Sequence, residues 1–266
     1  MAQPELEFRT VFLSDVHLGA AGCKTDYVQH FLHSIRCESL YLVGDIVDGW
    51  VGTRDGKWQQ AHTNVVRTIL GMSKRGTRVF YAPGNHDAFM RRMNGSDFGN
   101  IEVDHSFAHT TADGRDLLVV HGDAFDATCT RYPRMAWVGA WIYEWMVMLN
   151  MSVNRRRKAR SRRPIDFCSI VKRTVKRIAK RVSSYETSVL EHAVELGYDG
   201  VVVGHIHRPA IERHRDDWVY VNCGDWVENC TAVVEHFDGR LELIHWRDHY
   251  LETPVRLEDL GVAPAR

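Results

Sequence analysis

Leu40-Tyr41-Leu42-Val43-Gly44-Asp45 decides how this chain is read. Four apolar residues suited to a buried strand run directly into a glycine and a carboxylate. The same order recurs four times. Thr10-Val11-Phe12-Leu13 leads to Asp15-Val16-His17, and Val79-Phe80-Tyr81 to Gly84-Asn85-His86-Asp87. Leu117-Leu118-Val119-Val120 leads to His121-Gly122-Asp123, and Val201-Val202-Val203 to Gly204-His205-Ile206-His207. Taken singly, such a strand end is more often a hydrogen-bonded loop than a ligand. Five in one chain describe a two-metal site at the edge of a sheet, because loops on a rigid scaffold are where chemistry is presented. Carboxylate, amide and imidazole donors together suit Mn, Fe, Zn or Ni better than a site built only of hard oxygens. Asp15 and His17 are two apart, so an extended stretch would point both to one side, and His205 and His207 repeat the spacing.

The elements around these motifs follow from periodicity. Strands are predicted at Arg9–Leu13, Leu40–Val43 and Arg78–Tyr81, with helices at Tyr27–Arg36 and Gln59–Lys74. Asp113-Gly114 reads as a hairpin turn between Ser106–Thr111 and Arg115–Val120. A helix is predicted over Ser184–Leu196, then strands at Trp218–Asn222, Thr231–Phe237 and Leu241–Trp246, the last two joined at Asp238-Gly239. Alternating strands and helices early, with hairpins late, predict an α/β fold of two packed sheets flanked by helices. The 266 residues allow one such domain plus an insertion, and 44% hydrophobic with 26% charged residues is ordinary for a globular protein. The formal charge is zero, so the molecule does not bind polyanions by bulk charge. Six cysteines without CxxC spacing, and no signal peptide read before Phe8, predict reduced thiols in a cytoplasm.

The five blocks resemble those of the calcineurin-like metallophosphoesterases, in that family's order, over residues 15–207. The resemblance implies an αββα sandwich and two divalent cations, Mn first, with Fe, Zn or Mg as alternatives. Asp15, His17, Asp45 and His207 would hold one, and Asp45, Asn85, His121 and His205 the other, with Asp45 bridging. Water between two such cations becomes hydroxide near neutral pH and attacks phosphorus in line. His86 corresponds to the histidine that protonates or stabilises the leaving oxygen. Asp48 fits the acid that orients it, since a neighbouring carboxylate favours a protonated imidazole. Asp48 reads equally well as an exposed turn carboxylate.

Residues 126–184 interrupt this plan, dividing a core of 1–125 and 185–250 from an inserted helical cap; a loosely ordered tail is expected at 251–266. Met135–Met151 is almost wholly apolar, with Trp137, Trp141 and Trp145 on one helical face. It is short for a membrane span. It reads as a buried cap helix, as an apolar groove for lipid chains, or as a helix at a bilayer interface. Between Arg155 and Arg181 stand thirteen Lys and Arg against Asp166 alone, a local charge of +12. Val171, Val175, Ile178 and Val182 add an apolar stripe, and a basic amphipathic helix beside an apolar one reads as attachment to an anionic membrane surface. Nucleic acid is the weaker partner, as no RNA- or DNA-binding motif accompanies the charge.

Gly44-Asp45-Ile46-Val47-Asp48-Gly49-Trp50 followed by Gly52, the His121-Gly122-Asp123 block and Gly204-His205-Ile206-His207-Arg208-Pro209-Ala210 resemble the UDP-2,3-diacylglucosamine pyrophosphatases of lipid A biosynthesis. That likeness implies a cap holding acyl chains, cleavage of a lipid-nucleotide pyrophosphate to UMP and a lipid phosphate, and a peripheral place on the inner face of the cytoplasmic membrane. Trp137, Trp141, Trp145 and Arg208 are the candidate substrate contacts, although Arg208 also reads as a surface arginine. The chain departs from that group at His86, where its members usually carry Arg, and in a more basic cap. His86 and Asn222-Cys223-Gly224-Asp225-Trp226-Val227-Glu228 resemble a sister group of uncertain substrate. A phosphoprotein phosphatase or small-molecule phosphodiesterase is therefore the second reading, and a non-catalytic membrane-binding scaffold the third.

Overall fold

A computed structural model describes residues 6–20, 22–49, 58–97, 100–126, 184–214 and 217–252. Alternation along the strands explains its architecture. In β1 (Leu6–Leu13), Val11 and Leu13 face one core and Phe12 faces another. The same split divides Leu40 and Leu42 from Tyr41 and Val43 in β2 (Ile35–Val43), and Val79 and Tyr81 from Phe80 in β3 (Arg78–Ala82). A strand whose successive side chains enter two different cores lies in the middle of a layered domain. Each fully buried Val, Leu or Phe contributes roughly 1.5–3 kcal/mol.

The first core lies under helices α1 (Thr25–Ser34) and α2 (Gln60–Lys74), where Val28, Phe31, Val65 and Ile69 meet the outer face of a seven-stranded sheet. That sheet also contains β4 (Ser96–Asp97), β5 (Ile101–Val103), β11 (Thr231–Glu235) and β12 (Leu241–His245), in the order β12-β11-β1-β2-β3-β5-β4. β1, β2, β3 and β5 are parallel, and the outer strands pair antiparallel. The second core lies between this sheet and a five-stranded one. The latter runs β6 (Ser106–Thr110), β7 (Asp116–Val120), β8 (Gly200–Val203), β10 (Val219–Asn222), β9 (Ala210–Arg213). Leu117, Val119, Val202 and Val221 pack there against Phe12, Tyr41, Phe80 and Val233. A helix over residues 184–195 (α3) precedes β8. The two mixed sheets with flanking helices match the expected α/β sandwich. The chain divides into two units, Met1–Gly122 with Leu190–Arg266, and Asp123–Val189; both sheets belong to the first.

Two predicted boundaries are corrected. The helix expected over Tyr27–Arg36 ends at Ser34, and Ile35 and Arg36 instead open β2, pairing with Leu6 and Glu7 of β1. Extended backbone at the β-branched Ile35, held by a neighbouring strand, outweighs the helical period. The strand expected through Trp246 stops at His245, and Trp246–Glu252 forms α4. There the Trp246 indole donates to His30 Nδ1 at 3.0 Å and the ring packs on Phe31, so burial against α1 fixes the turn. β4, β5 and β9 were not anticipated. Cys23, Cys37, Cys223 and Cys230 are free thiols. No helix among the described residues is long and apolar enough to cross a membrane. Trp137, Trp141, Trp145, Arg155–Arg181 and the tail from residue 253 lie outside the described residues.

Candidate metal centre

Asp15 and His17 follow β1, Asp45 and Asp48 follow β2, and Asn85 and His86 follow β3. His121 follows β7, and His205 and His207 follow β8. All five loops leave the C-terminal ends of parallel strands, three from one sheet and two from the other, so the motifs converge where both sheets run out. Backbone bonds hold the loops together. Asp15 N donates to Gly44 O at 3.0 Å, His17 N to Asp45 O at 2.9 Å, and Gly204 N to His121 O at 3.2 Å.

The backbone itself marks the site. Eight non-glycine residues have positive φ among the described residues, and five of them are Asp15, His17, Asp45, His205 and His207. Left-handed backbone is uncommon outside glycine and is kept only where surrounding structure imposes it. The extended stretch expected at Asp15–His17 is therefore not present. Both residues are kinked, at φ 51° and 53°, and reach the same place by that route. Glycine gives room for the approach. A Cβ at Gly84 would collide with Asp45 Oδ1 and the His121 ring, and one at Gly204 with Ser14 Oγ and Asp15 Oδ2.

The side chains form three overlapping clusters, each with donor atoms within 4.8 Å of one another: Asp15, His17 and His207; Asp15, Asp45 and His121; and His17, Asp45 and His86. Asp15 Oδ1 lies 3.1 Å from His207 Nε2 and 3.7 Å from His17 Nε2, while His121 Nε2 lies 3.3 Å from Asp45 Oδ2. The other oxygen of each carboxylate is fixed by backbone: His205 N donates to Asp15 Oδ2 at 3.0 Å, and His86 N to Asp45 Oδ1 at 2.7 Å. Val43 O, which can only accept, lies 2.9 Å from His121 Nδ1, so Nδ1 carries a proton and Nε2 is the nitrogen turned toward the carboxylates. His205 belongs to none of the three clusters but stacks edge-on to His121 at 5.3 Å. His86, read from the sequence as an acid and not a ligand, falls in the third cluster.

These donors fit divalent cations. Asp15 Oδ1 and Asn85 Oδ1 are buried and accept no hydrogen bond among the described residues, an arrangement that costs free energy unless something else meets them. Two buried carboxylates also share the site. Burial opposes the charge on Asp15, but His207 and His17 hold it well below the usual carboxylate range. Burial likewise opposes ionisation of Asp45, and His121 outweighs it, so Asp45 also lies low. Burial works against the charged form of His17, yet Asp15 and Asp48 raise it to about 10. Protons here occupy positions that cations of the same charge sign would fill.

Asp48 is buried, so the exposed-turn alternative does not hold. Its Oδ2 lies 3.3 Å from His86 Nδ1 and 3.7 Å from His17 Nδ1. Arg208 is half-exposed and faces Glu212 at 3.7 Å. Sequence reasoning gave no role to three residues that brace the site. Asp87 accepts from Tyr81 Oη at 2.5 Å, Ile46 N at 2.8 Å and Gly84 N at 2.6 Å, tying the loop after β3 to the loop after β2. Asn222 Nδ2 donates to Gly204 O at 2.8 Å, and Asn229 Nδ2 to His207 O at 3.0 Å. The only signal for Asp87 was its place as the fourth residue of Gly84-Asn85-His86-Asp87, and for Asn222 the stretch it opens.

The UDP-2,3-diacylglucosamine hydrolase of Neisseria gonorrhoeae is 26% identical over 247 residues, covering 86% of this chain and 93% of its own. The protein of the same name from Blochmanniella pennsylvanica is 24% identical over 206 residues, covering 76% and 80%. An archaeal phosphodiesterase of known structure superposes with a TM-score of 0.42 at 13% identity, over 88% of this chain and 98% of its own. The profile of the calcineurin-like phosphoesterases matches residues 8–209, from β1 to just beyond the last histidine motif, and with three quarters of its length so matched the chain belongs to the calcineurin-like phosphoesterase family.

Proposed function

We propose that this protein is a metal-dependent phosphohydrolase that cleaves the pyrophosphate of a lipid-linked nucleotide of the UDP-2,3-diacylglucosamine type. The observation that carries the hydrolase reading is the overlap of the donor clusters, in which Asp15 and Asp45 each serve two. The hydrolases of that name at 23–26% identity support the substrate class. The Trp-rich and basic stretches at 135–181 support it from sequence alone, as lipid-facing and membrane-facing segments.

Two cations would be held by Asp15, His17, Asp45 and His207 and by Asp45, Asn85, His121 and His205. They supply an activated water as nucleophile and neutralise charge on the phosphoryl oxygens. The chain does the rest. Buried, anionic Asp15 and Asp45 set a negative field that only cations relieve, and the His86 and His205 amides stop their carboxylates from rotating. Asp48 fixes His86 through Nδ1, which leaves Nε2 to give its proton to the departing oxygen. The His86 side chain is 22% exposed, enough to reach a substrate from the rim.

One residue favours a second reading within the family. His86 stands where the pyrophosphatases usually carry Arg, which points to a smaller phosphodiester or phosphomonoester. The test is metal-stripped protein reloaded in parallel with Mn, Zn and Mg, assayed for UMP release from UDP-2,3-diacylglucosamine and for p-nitrophenol release from bis-p-nitrophenyl phosphate. Metal-dependent UMP release is the expected result. Turnover of the small diester alone would overturn the lipid-nucleotide reading and leave the phosphohydrolase.

A further inference from the structure

The groove between α1 and α2, away from the metal centre, is lined by positive charge. α2 holds Arg67, Lys74 and Arg75 adjoining its end, and no acidic residue; Arg36 enters β2 just past the end of α1. A cavity of about 570 Å³ opens here. Buried Gln29, Leu32 and Ile35 form its floor, exposed Arg36, Arg67 and Arg75 its rim, and no carboxylate among the described residues lines it. Neither Arg67 nor Arg75 makes an ion pair among the described residues.

The floor is also incompletely satisfied. Gln29 Nε2 donates to Thr68 Oγ1 at 2.7 Å and to His33 Nε2 at 2.6 Å. Its Oε1 is buried, with no hydrogen-bond partner among the described residues. Burial first, and then the charge of Arg75, hold His33 below the ordinary histidine value, so His33 accepts as a neutral ring and the positive charge comes from the arginines. Gly71 adds a third feature. It sits in the last turn of α2, where glycine weakens a helix, and a Cβ there would come within 3.3 Å of Arg75 Nη1. The missing side chain lets the guanidinium fold back over the groove.

We propose that this groove binds a phosphate-bearing anion. Guanidinium forks match phosphate oxygens, and Arg67 and Arg75 present two of them to one cavity. Gln29 Oε1 can only accept; it is buried at the floor, so a rotation of the Gln29 amide toward the cavity would bring it to the P–OH of a monohydrogen phosphate, the one proton an inorganic oxyanion brings at neutral pH. Sulfate, fully ionised, offers none. The site therefore takes phosphate in preference to sulfate, whether as the free ion or as the phosphomonoester head group of a lipid.

The test uses the magnesium-loaded full chain, ¹⁵N-labelled, titrated with inorganic phosphate or sulfate at constant ionic strength. The amides of Gln29, Thr68 and Gly71 should show saturable shifts with phosphate and weaker ones with sulfate. Arg67→Gln/Arg75→Gln should raise the phosphate Kd at those amides about five- to tenfold, while the amides of Gly84 and Gly204 at the metal centre respond as before. Circular dichroism checks that the variant is folded. Vesicles of phosphatidylcholine with phosphatidic acid distinguish the source: weaker vesicle binding by the variant assigns the lipid head group, and unchanged vesicle binding assigns the free ion. Absent saturation at the three amides, equal response to sulfate, or an unchanged Kd in the variant would overturn the site.

Discussion

The metal centre and the cluster around Glu235 both bury carboxylates among histidines, but they differ in what is left over. Glu235, on β11, has every oxygen met. Oε1 accepts from Arg9 Nη1 at 2.6 Å and Ala112 N at 2.7 Å, and Oε2 lies 2.8 Å from His109 Nε2. The cluster joins β1 and β11 of one sheet to β6 of the other, and none of these residues has left-handed backbone. At the metal centre, Asp15 Oδ1 and Asn85 Oδ1 accept no hydrogen bond among the described residues, and five residues are held at positive φ. A satisfied buried network rigidifies a fold; an unsatisfied one on strained backbone is kept for something that binds. Residue type alone does not separate the two.

The largest effect expected from this contrast is at Asp45, which two donor clusters share. Asp45→Asn should lower turnover by about a thousandfold or more, because the shared anion is lost to both cation sites. The metal-free variant should melt only modestly below the metal-free parent, since the pairing of the Asp45 carboxylate with His121 is lost while its repulsion with Asp15 is relieved. Calorimetry beside the turnover assay reads both. A variant that is inactive and also strongly destabilised without metal would turn Asp45 into a structural residue and erase the contrast.

Glu235→Gln should do the reverse, costing about 3 kcal/mol of stability in urea unfolding with kcat per folded molecule unchanged. The pH dependence sharpens it. Burial works against the Glu235 charge, but His109 and the Ala112 amide hold it down to about 2, against 4.5 for an ordinary glutamate. A depressed acid stabilises the fold above its unfolded value. That contribution, about 3 kcal/mol, is complete above pH 4.5 and is lost as the pH falls toward 2. The parent should show this slope in acid and the Gln variant should lack it.

Asp48→Asn is smaller and bears on the rim of the metal centre. With 3.3 Å between Asp48 Oδ2 and His86 Nδ1, the asparagine keeps the shape but not the charge. kcat should fall about ten- to a hundredfold for a substrate with a poor leaving group, and much less for bis-p-nitrophenyl phosphate, whose leaving group needs no proton. An equal loss on both substrates would remove the proton-transfer role from His86.

The sequence disclosed these regions unevenly. The sandwich was legible because β1, β2 and β3 alternate between two cores, and the ligand motifs because each closes an apolar run. What was illegible depended on contacts between distant parts of the chain. Ile35 and Arg36 continue a helical period until Leu6 and Glu7 claim them as a strand. Asp and His enter positive φ more readily than most residues, but residue type alone does not put Asp15, His17 and Asp45 there; bonds across loops hold it, as when His17 N reaches Asp45 O. Glu235 read simply as part of a late strand, because Arg9 and His109, its partners, lie more than a hundred residues away. Trp137, Trp141 and Trp145 remain an expectation of sequence alone.

Asn229 gives the smallest effect and the strictest test of whether strain at the metal centre is imposed from outside it. Its Nδ2 donates to His207 O at 3.0 Å and to Asp225 Oδ2 at 2.5 Å, while Asp225 Oδ1 gathers the amides of Val227 and Glu228. Asn229 touches no donor atom of the three clusters. It holds the backbone of His207 at a φ of 51°, a conformation uncommon outside glycine. Asn229→Ala should therefore weaken metal affinity about tenfold, read by competition with a chelator, and cost about 1 kcal/mol of stability. kcat at saturating metal should stay at the parent value, because every ligand is still present and excess cation restores the geometry. A fall in kcat that added metal cannot repair would mean that the His207 turn contributes to the chemical step itself. An unchanged metal affinity would mean that the turn holds its conformation without this bond.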